Sequence, residues 1–322
     1  MAAWILGIAS SAVTSVFSPG DVIIAGQPVC VITCPPCLPP SGIDVFSSTG
    51  SFLRQIADPV SCGDPNDALM LGSDILLANG NRIDIFRSDG TLIPFASGFP
   101  ELITSLAIDE HGTIFAGQNL RPIITKFDST GRLLGSFTVP TAQSGILTMD
   151  LGADQCTLFY SSGTSVIKRF DVCRNVPLSD FLDLGNGYIA KLRVVPDGGV
   201  LAATDAAIMR ISAGGTIASL LPPGRYAVSV PTAESVWVGS GEQLEKISLT
   251  TGAVTAGPVS TPDRIPVDFI LVVGEQRAAQ AAADIPDLNF YAEIALIALL
   301  GVIATMRLTA TRPSSPARAA GH

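Results

Sequence analysis

The chain has 322 residues, 47% of them apolar and 15% charged, and its net charge is −9. That length buries a core in one large β domain or two ordinary ones, and the acidic balance excludes the basic face a nucleic-acid partner needs. Two histidines, His111 in "DEHG" and His322 at the end, exclude any site built from several imidazoles.

In chain order, residues 1–19 come first. "MAAWILGIASSAVTS" is apolar and rich in small residues, like the end of a secretory leader, but the first basic residue is Arg54. Because a leader opens on a basic segment, the expectation is a truncated leader that begins upstream of Met1.

From residue 20 the chain repeats. "IDVFSSTGSFL", "IDIFRSDGTLI", "ITKFDSTGRLL", "IKRFDVCRNVPL", "IMRISAGGTIA" and "LEKISLTTGAV" align on Phe46, Phe86, Phe127, Phe170, Ile211 and Ile247. The steps between anchors are 40, 41, 43, 41 and 36 residues. Each segment reads as a strand, a tight turn and a strand. The glycine supplies the positive φ that a bulged hairpin turn requires, and the fourth copy has "DVCRN" in its place. A second apolar run precedes each anchor, as in "DILLANG" and "GTIFAGQ". A third precedes most of those, as in "ALMLG" and "ILTMDLG". Four strands in each ~40-residue unit are the signature of a β-propeller blade.

The expected fold is therefore all-β, a six-bladed β-propeller over residues 20–275. Blade one has no clear innermost strand unless "AVTSVF" serves, and "VDFILVVG" (267–274) is left over after blade six. We expect the leftover strand to return into blade one, which would remove the open sheet edge.

The last segments differ in kind. Residues 276–286, which begin the Ala-rich "QRAAQAAADIPD", read as a linker. Residues 287–308 read as a transmembrane or sorting helix. From Leu288 to Met306 there are 19 residues with one acid, Glu293, and a helix of that length rises about the ~30 Å of a hydrocarbon core. Residues 309–322 form a basic tail. Arg307, Arg312 and Arg318 place it on the cytoplasmic side and the propeller outside. The alternative is a helix capping the propeller floor.

The stretch "DLGADQCTLFYSSGTSVIKRFDVCRN" (150–175), the hairpin "KFDSTGRLLGSF" and the terminal Ile285-Pro286-Asp287-Leu288 resemble a group of bacterial exported NHL-like β-propeller proteins. These carry a C-terminal sorting tail of the IPTL type, related to PEP-type tails. The resemblance covers about residues 20–275 and the tail. It implies an exported propeller and carries no common activity with it.

The six cysteines fall into two sets. Cys156 and Cys173 flank a hairpin whose turn centres near Gly163–Thr164, so the two are expected to face each other. Facing residues of antiparallel strands have Cα atoms about 4.5–5.5 Å apart, within disulfide reach, and a disulfide implies an oxidising compartment. Two buried thiols are the alternative. Cys30, Cys34 and Cys37 sit in the insertion "QPVCVITCPPCLPPSG", and Cys62 in "DPVSCGDPND". Both segments are expected on one rim, where two disulfides are the first reading and a four-cysteine zinc site the second. Pro35–Pro36 favours an extended path of about 9 Å, too long for Cys34 to bridge Cys37.

For function, the sequence points first to a binding or structural module of the cell envelope, with loops on a rigid scaffold and a partner in the envelope or outside the cell. The Cys/Pro-rich face would meet that partner, or its loop would merely shield the blade-one seam near the chain ends, and the C-terminal helix would meet the membrane. No catalytic residue and no cofactor is assigned. The alternative is a metal-dependent lactonase of the gluconolactonase and regucalcin kind, with a divalent ion at the axial mouth polarising a carbonyl. Asn66, Asp67, Glu101 and Asp205 are the candidate binding residues near that mouth, although they do not share one repeated blade position.

Overall fold

A computed structural model describes residues 16–25, 42–57, 65–141, 145–221, 226–261, 267 and 269–274. Among these residues every regular element is a strand, and no helix is long and apolar enough to cross a membrane. The expected linker, sorting helix and basic tail lie outside the described residues. So do Cys30, Cys34, Cys37 and Cys62, and the leader up to residue 15. Phe17 is buried, and its ring meets that of Phe86 at 5.7 Å.

The strands form six antiparallel sheets. From the inside outwards, blade one runs Phe269–Val272, Val22–Ala25, Gly42–Phe46 and Phe52–Ala57. Blade two runs Pro65–Leu71, Asp74–Asn79, Arg82–Phe86 and Leu92–Ala96. Blade three runs Ile103–Ile108, Ile114–Gln118, Ile123–Phe127 and Leu133–Thr138. Blade four has Thr148–Leu151, Thr157–Ser161 and Val166–Asp171. Its outermost place is shared by two short pieces, Val176–Pro177 and Leu182–Asp183, each paired to Val166–Asp171. Blade five runs Ile189–Val194, Val200–Thr204, Ile208–Ile211 and Ile217–Leu221. Blade six runs Tyr226–Val228, Ser235–Ser240, Gln243–Ser248 and Val254–Ser260.

The leftover strand closes the ring as expected. Val22 pairs with Val272 and Ala25 with Phe269, so the two ends of the propeller share one sheet. The innermost place in blade one belongs to Phe269–Val272, and most of "AVTSVF" (12–17) lies outside the described residues.

The anchors explain why the repeat is visible. Phe46, Phe86, Phe127, Phe170, Ile211 and Ile247 all lie at or beside the end of the third strand, and all are at most 5% exposed. Burying such a side chain is worth about 1.5–3 kcal/mol. The chain then reverses through a left-handed residue: Gly50, Gly90, Gly131, Gly215 and Gly252 have φ between 71° and 89°. In blade four Asn175 takes that role at φ 58°, since asparagine tolerates the left-handed region better than most side chains.

Blade four also breaks its outer strand for a chemical reason. Pro177 has no N–H for the ladder. Side chains of the third strand fill in: Arg169 donates through Nε to the Ser179 carbonyl at 3.0 Å, and Lys168 pairs with Asp180 at 3.2 Å.

The core is six apolar clusters, one in each gap between neighbouring blades. Trp237, 1% exposed, fills the gap between blades six and one with Val22, Phe46 and Ile270. The closing strand is thus fixed by side chains as well as by its ladder.

Cys156 and Cys173 form a disulfide with Cα atoms 5.3 Å apart. The register differs by one residue from the expected facing pair. Thr157 opposes Asp171, and the Val172 N–H donates to the Cys156 carbonyl. Cys156 therefore opposes Val172. Cys173 reaches it from the following turn, where its N–H and that of Arg174 bind the Asp171 carboxylate.

Candidate functional site

The inner strands surround the axis, and corresponding positions can be matched through their partners on the second strands. Asp67 opposes Ala78, Ser105 opposes Gly117, Thr148 opposes Ser161 and Lys191 opposes Ala203. These four buried polar residues occupy one equivalent position in blades two to five. Phe269 and Ala227 hold it in blades one and six.

An inner strand has an edge with no further strand to pair with, so some of its N–H groups need other acceptors. The polar ring supplies them from blade to blade. Leu106 N–H donates to Asp67 Oδ2 at 2.9 Å, Met149 N–H to Ser105 Oγ at 3.0 Å, and Leu192 N–H to Thr148 Oγ1 at 2.9 Å. One step along, Val194 N–H donates to Asp150 Oδ2 at 2.7 Å. Each side chain thereby ties its blade to the next.

Lys191 is a donor and cannot continue this relay. Its ammonium instead lies 2.8 Å from Asp67 Oδ1, and the Arg193 guanidinium lies 2.8 Å from the same oxygen. Blades two and five stand opposite each other in a ring of six, so these ion pairs cross the propeller axis. Asp67 is fully buried and Arg193 is 1% exposed. Burial by itself works against the charge on Asp67. Arg193, then Lys191, and the hydrogen bonds from Lys191 and Leu106 outweigh it and hold the carboxyl well below the usual carboxylate range. Burial likewise opposes the charge on Arg193, but Asp67 and Asp150 keep it protonated and raise its pKa. Arg193 Nε is buried without a partner among the described residues.

The four candidate residues from the sequence share one face, the one where the inner strands begin. Asn66 is the bulged residue beside Asp67, and its carbonyl accepts from Lys191 Nζ at 3.2 Å. Glu101 precedes the inner strand of blade three. Asp205 follows the second strand of blade five, is exposed, and accepts the Tyr188 N–H at 3.1 Å. The structure binds Asn66 and Asp67 into the axial cluster and leaves Glu101 and Asp205 on separate loops of the rim. Both Asp67 oxygens are engaged, by two cations on one and by Ser105 Oγ and Leu106 N–H on the other. Among the described residues, no group of three or more His, Cys, Asp or Glu side chains is placed to hold a metal ion.

Ser105, Thr148, Asp150, Lys191 and Arg193 were not singled out from the sequence. A signal was present: "DALML", "SLAI", "TMDL" and "KLRV" each start an apolar run with a polar residue.

No family profile matches the chain, and no curated protein matches it in sequence. Solved structures do. A chain of the mitotic checkpoint complex superposes with a TM-score of 0.52 at 15% identity, covering 71% of this chain and 74% of that one. Virginiamycin B lyase from Staphylococcus aureus, crystallised with quinupristin, gives 0.49 at 17% identity over 62% and 70%. U3-55K gives 0.47 at 14% identity over 56% of this chain, which spans about three-fifths (59%) of that structure's length. The six antiparallel sheets, closed by the pairing of Phe269–Val272 with Val22–Ala25, make this chain a six-bladed β-propeller, and at 15% identity the likeness to the mitotic checkpoint complex chain speaks for the fold alone.

Proposed function

We propose that the protein is an exported, envelope-associated β-propeller that works as a binding or structural module, in the manner of the NHL-like proteins with a C-terminal sorting tail. The observation that carries the modular reading is the axial cluster. In the lactonase-like alternative a carboxylate at the axial mouth is available to a divalent ion. Here Asp67 is committed to Lys191 and Arg193, and the axis is spanned by a buried ion-paired strut. Recognition then belongs to loops and rims on a rigid scaffold.

Export is supported by the Cys156–Cys173 disulfide, since such bonds persist in oxidising compartments. The apolar segment followed by arginines supports membrane attachment. No cofactor is required for this role, and the partner is an envelope or extracellular component.

The test is co-sedimentation of purified full-length protein with envelope fragments of the host, alongside a lactone panel assayed with and without added divalent ions. Saturable sedimentation without metal-dependent hydrolysis is expected. Lactone turnover that chelator abolishes would favour the alternative.

A further inference from the structure

A groove of about 620 Å³, open to solvent, lies at the seam where blade six meets blade one. One wall is the turn after Phe46, with Ser48 and Thr49; the other is the outer part of blade six. The turn is pressed close to blade six. Gly50 has φ 88°, and a Cβ there would lie 3.1 Å from Val259 and 3.2 Å from Trp237.

The lining is unusual in its chemistry. Five of its residues are serines or threonines, and Ala256 is the sole apolar one. Two charged residues complete it, Lys246 and Glu234. Among the described residues neither has an ion-pair partner, although both border the same space. The Lys246 ammonium sits 5.8 Å from the centre of the Trp237 ring. Trp237 is buried beneath it, so no aromatic face is open to an apolar ligand.

Such a groove is within the usual volume range for small-ligand sites, about 300–1,000 Å³. Its surface is mixed, with hydroxyl and charged groups set among the aliphatic parts of Lys246, Thr255 and Ala256, as a sugar ring with polar edges and apolar faces requires. An unpaired ammonium selects a carboxylate, and hydroxyls with a free carboxylate suit a ligand rich in hydroxyl groups. We infer that the seam between blades six and one binds a sugar acid, with a uronic-acid carboxylate on Lys246 and ring hydroxyls on the Ser/Thr lining and Glu234. The site lies on the opposite face from Asn66, Asp67, Glu101 and Asp205. It is independent of the envelope assignment, because a sugar acid can be met inside or outside the membrane.

The experiment is calorimetric titration of the full-length protein with a galacturonic-acid trimer and with a neutral galactose trimer of equal length. A hydrogen bond to a charged group is worth about 1.5–3 kcal/mol, so the acidic trimer should bind about tenfold or more tightly than the neutral one. Lys246→Gln should remove that preference and leave neutral-trimer binding unchanged. Lys246→Arg should restore most of it, and Glu234→Gln should weaken both trimers alike. Melting temperatures of the three variants should match the native protein. Absence of binding by the acidic trimer overturns the inference, and so does a preference that survives Lys246→Gln.

Discussion

Replacing Asp67 by asparagine keeps the shape of the side chain and removes its charge. Lys191 is then left buried, with its Asp67 counter-ion gone. Arg193 keeps Asp150, which already contributes to holding it protonated. Breaking a buried pair by removing one partner costs about 3–5 kcal/mol. Asp67 also accepts from Ser105 and from the Leu106 N–H, so a loss near the upper end, about 4–5 kcal/mol, is expected. For a domain of this size 1 kcal/mol corresponds to roughly 2–4 °C, giving a fall of about 8–20 °C in melting temperature by circular dichroism at pH 7. The double variant Asp67→Leu/Lys191→Met removes the buried ammonium together with its counter-ion and leaves Arg193 to the field of Asp150, so it should recover part of the loss. The pH dependence has a definite sign. The native pKa of Asp67 is depressed, so its contribution is complete above the unfolded value near 4 and drains away as pH falls towards the native value. The native protein should therefore lose more stability than Asp67→Asn on acidification below pH ~4. If Asp67→Asn melts within about 2 °C of native, or the double variant is no better than the single, the cluster is not the desolvated strut described above.

Three further outcomes follow from the geometry. Cys156→Ser/Cys173→Ser should cost less than the ~2–4 kcal/mol usual for disulfides, because the hairpin ladder already closes that loop; urea denaturation measures it, and a larger loss contradicts it. Gly131→Ala should cost clearly more than Gly72→Ala. Both glycines have positive φ, but a Cβ at Gly131 would lie 2.6 Å from the Phe95 carbonyl oxygen, whereas Gly72 has nothing within 4 Å; equal melting temperatures would refute this. Leu271→Pro should abolish ladder bonding in the middle of the closing strand, so limited proteolysis should release the N-terminal strand Val22–Ala25 early; unchanged resistance would show that closure does not depend on it.

The fold was legible because its signals are local. An anchor, a left-handed turn residue and a following strand recur within a dozen residues, and the apolar runs before them repeat at similar spacing. Ring closure was legible as an unassigned strand with nowhere else to pair. The disulfide was legible from symmetry about a turn, although its register was not, because the Asp171-capped turn adds a residue that spacing does not reveal. The axial cluster was not legible. Asp67 and Lys191 are 124 residues apart, and only closure of the ring brings blades two and five face to face. Their equivalence is further masked by bulges near Asn66, Thr104 and Ala190, which shift the alternation of the inner strands. The acidity of Asp67 reads in the sequence as that of a metal ligand, whereas its cationic partners Lys191 and Arg193 lie within a run, "IAKLRVV", that reads as an apolar strand.

A propeller that works outside the cytoplasm holds its Cys156–Cys173 bond in an oxidising compartment. The direct measurement is thiol alkylation of the native protein in intact host cells and in their fractions, followed by peptide mass mapping of Cys156 and Cys173. The expected result is protein in the envelope or extracellular fraction, with both cysteines unmodified until a reductant is added. Recovery of the protein from the cytosol, with Cys156 and Cys173 alkylated at once, would contradict it.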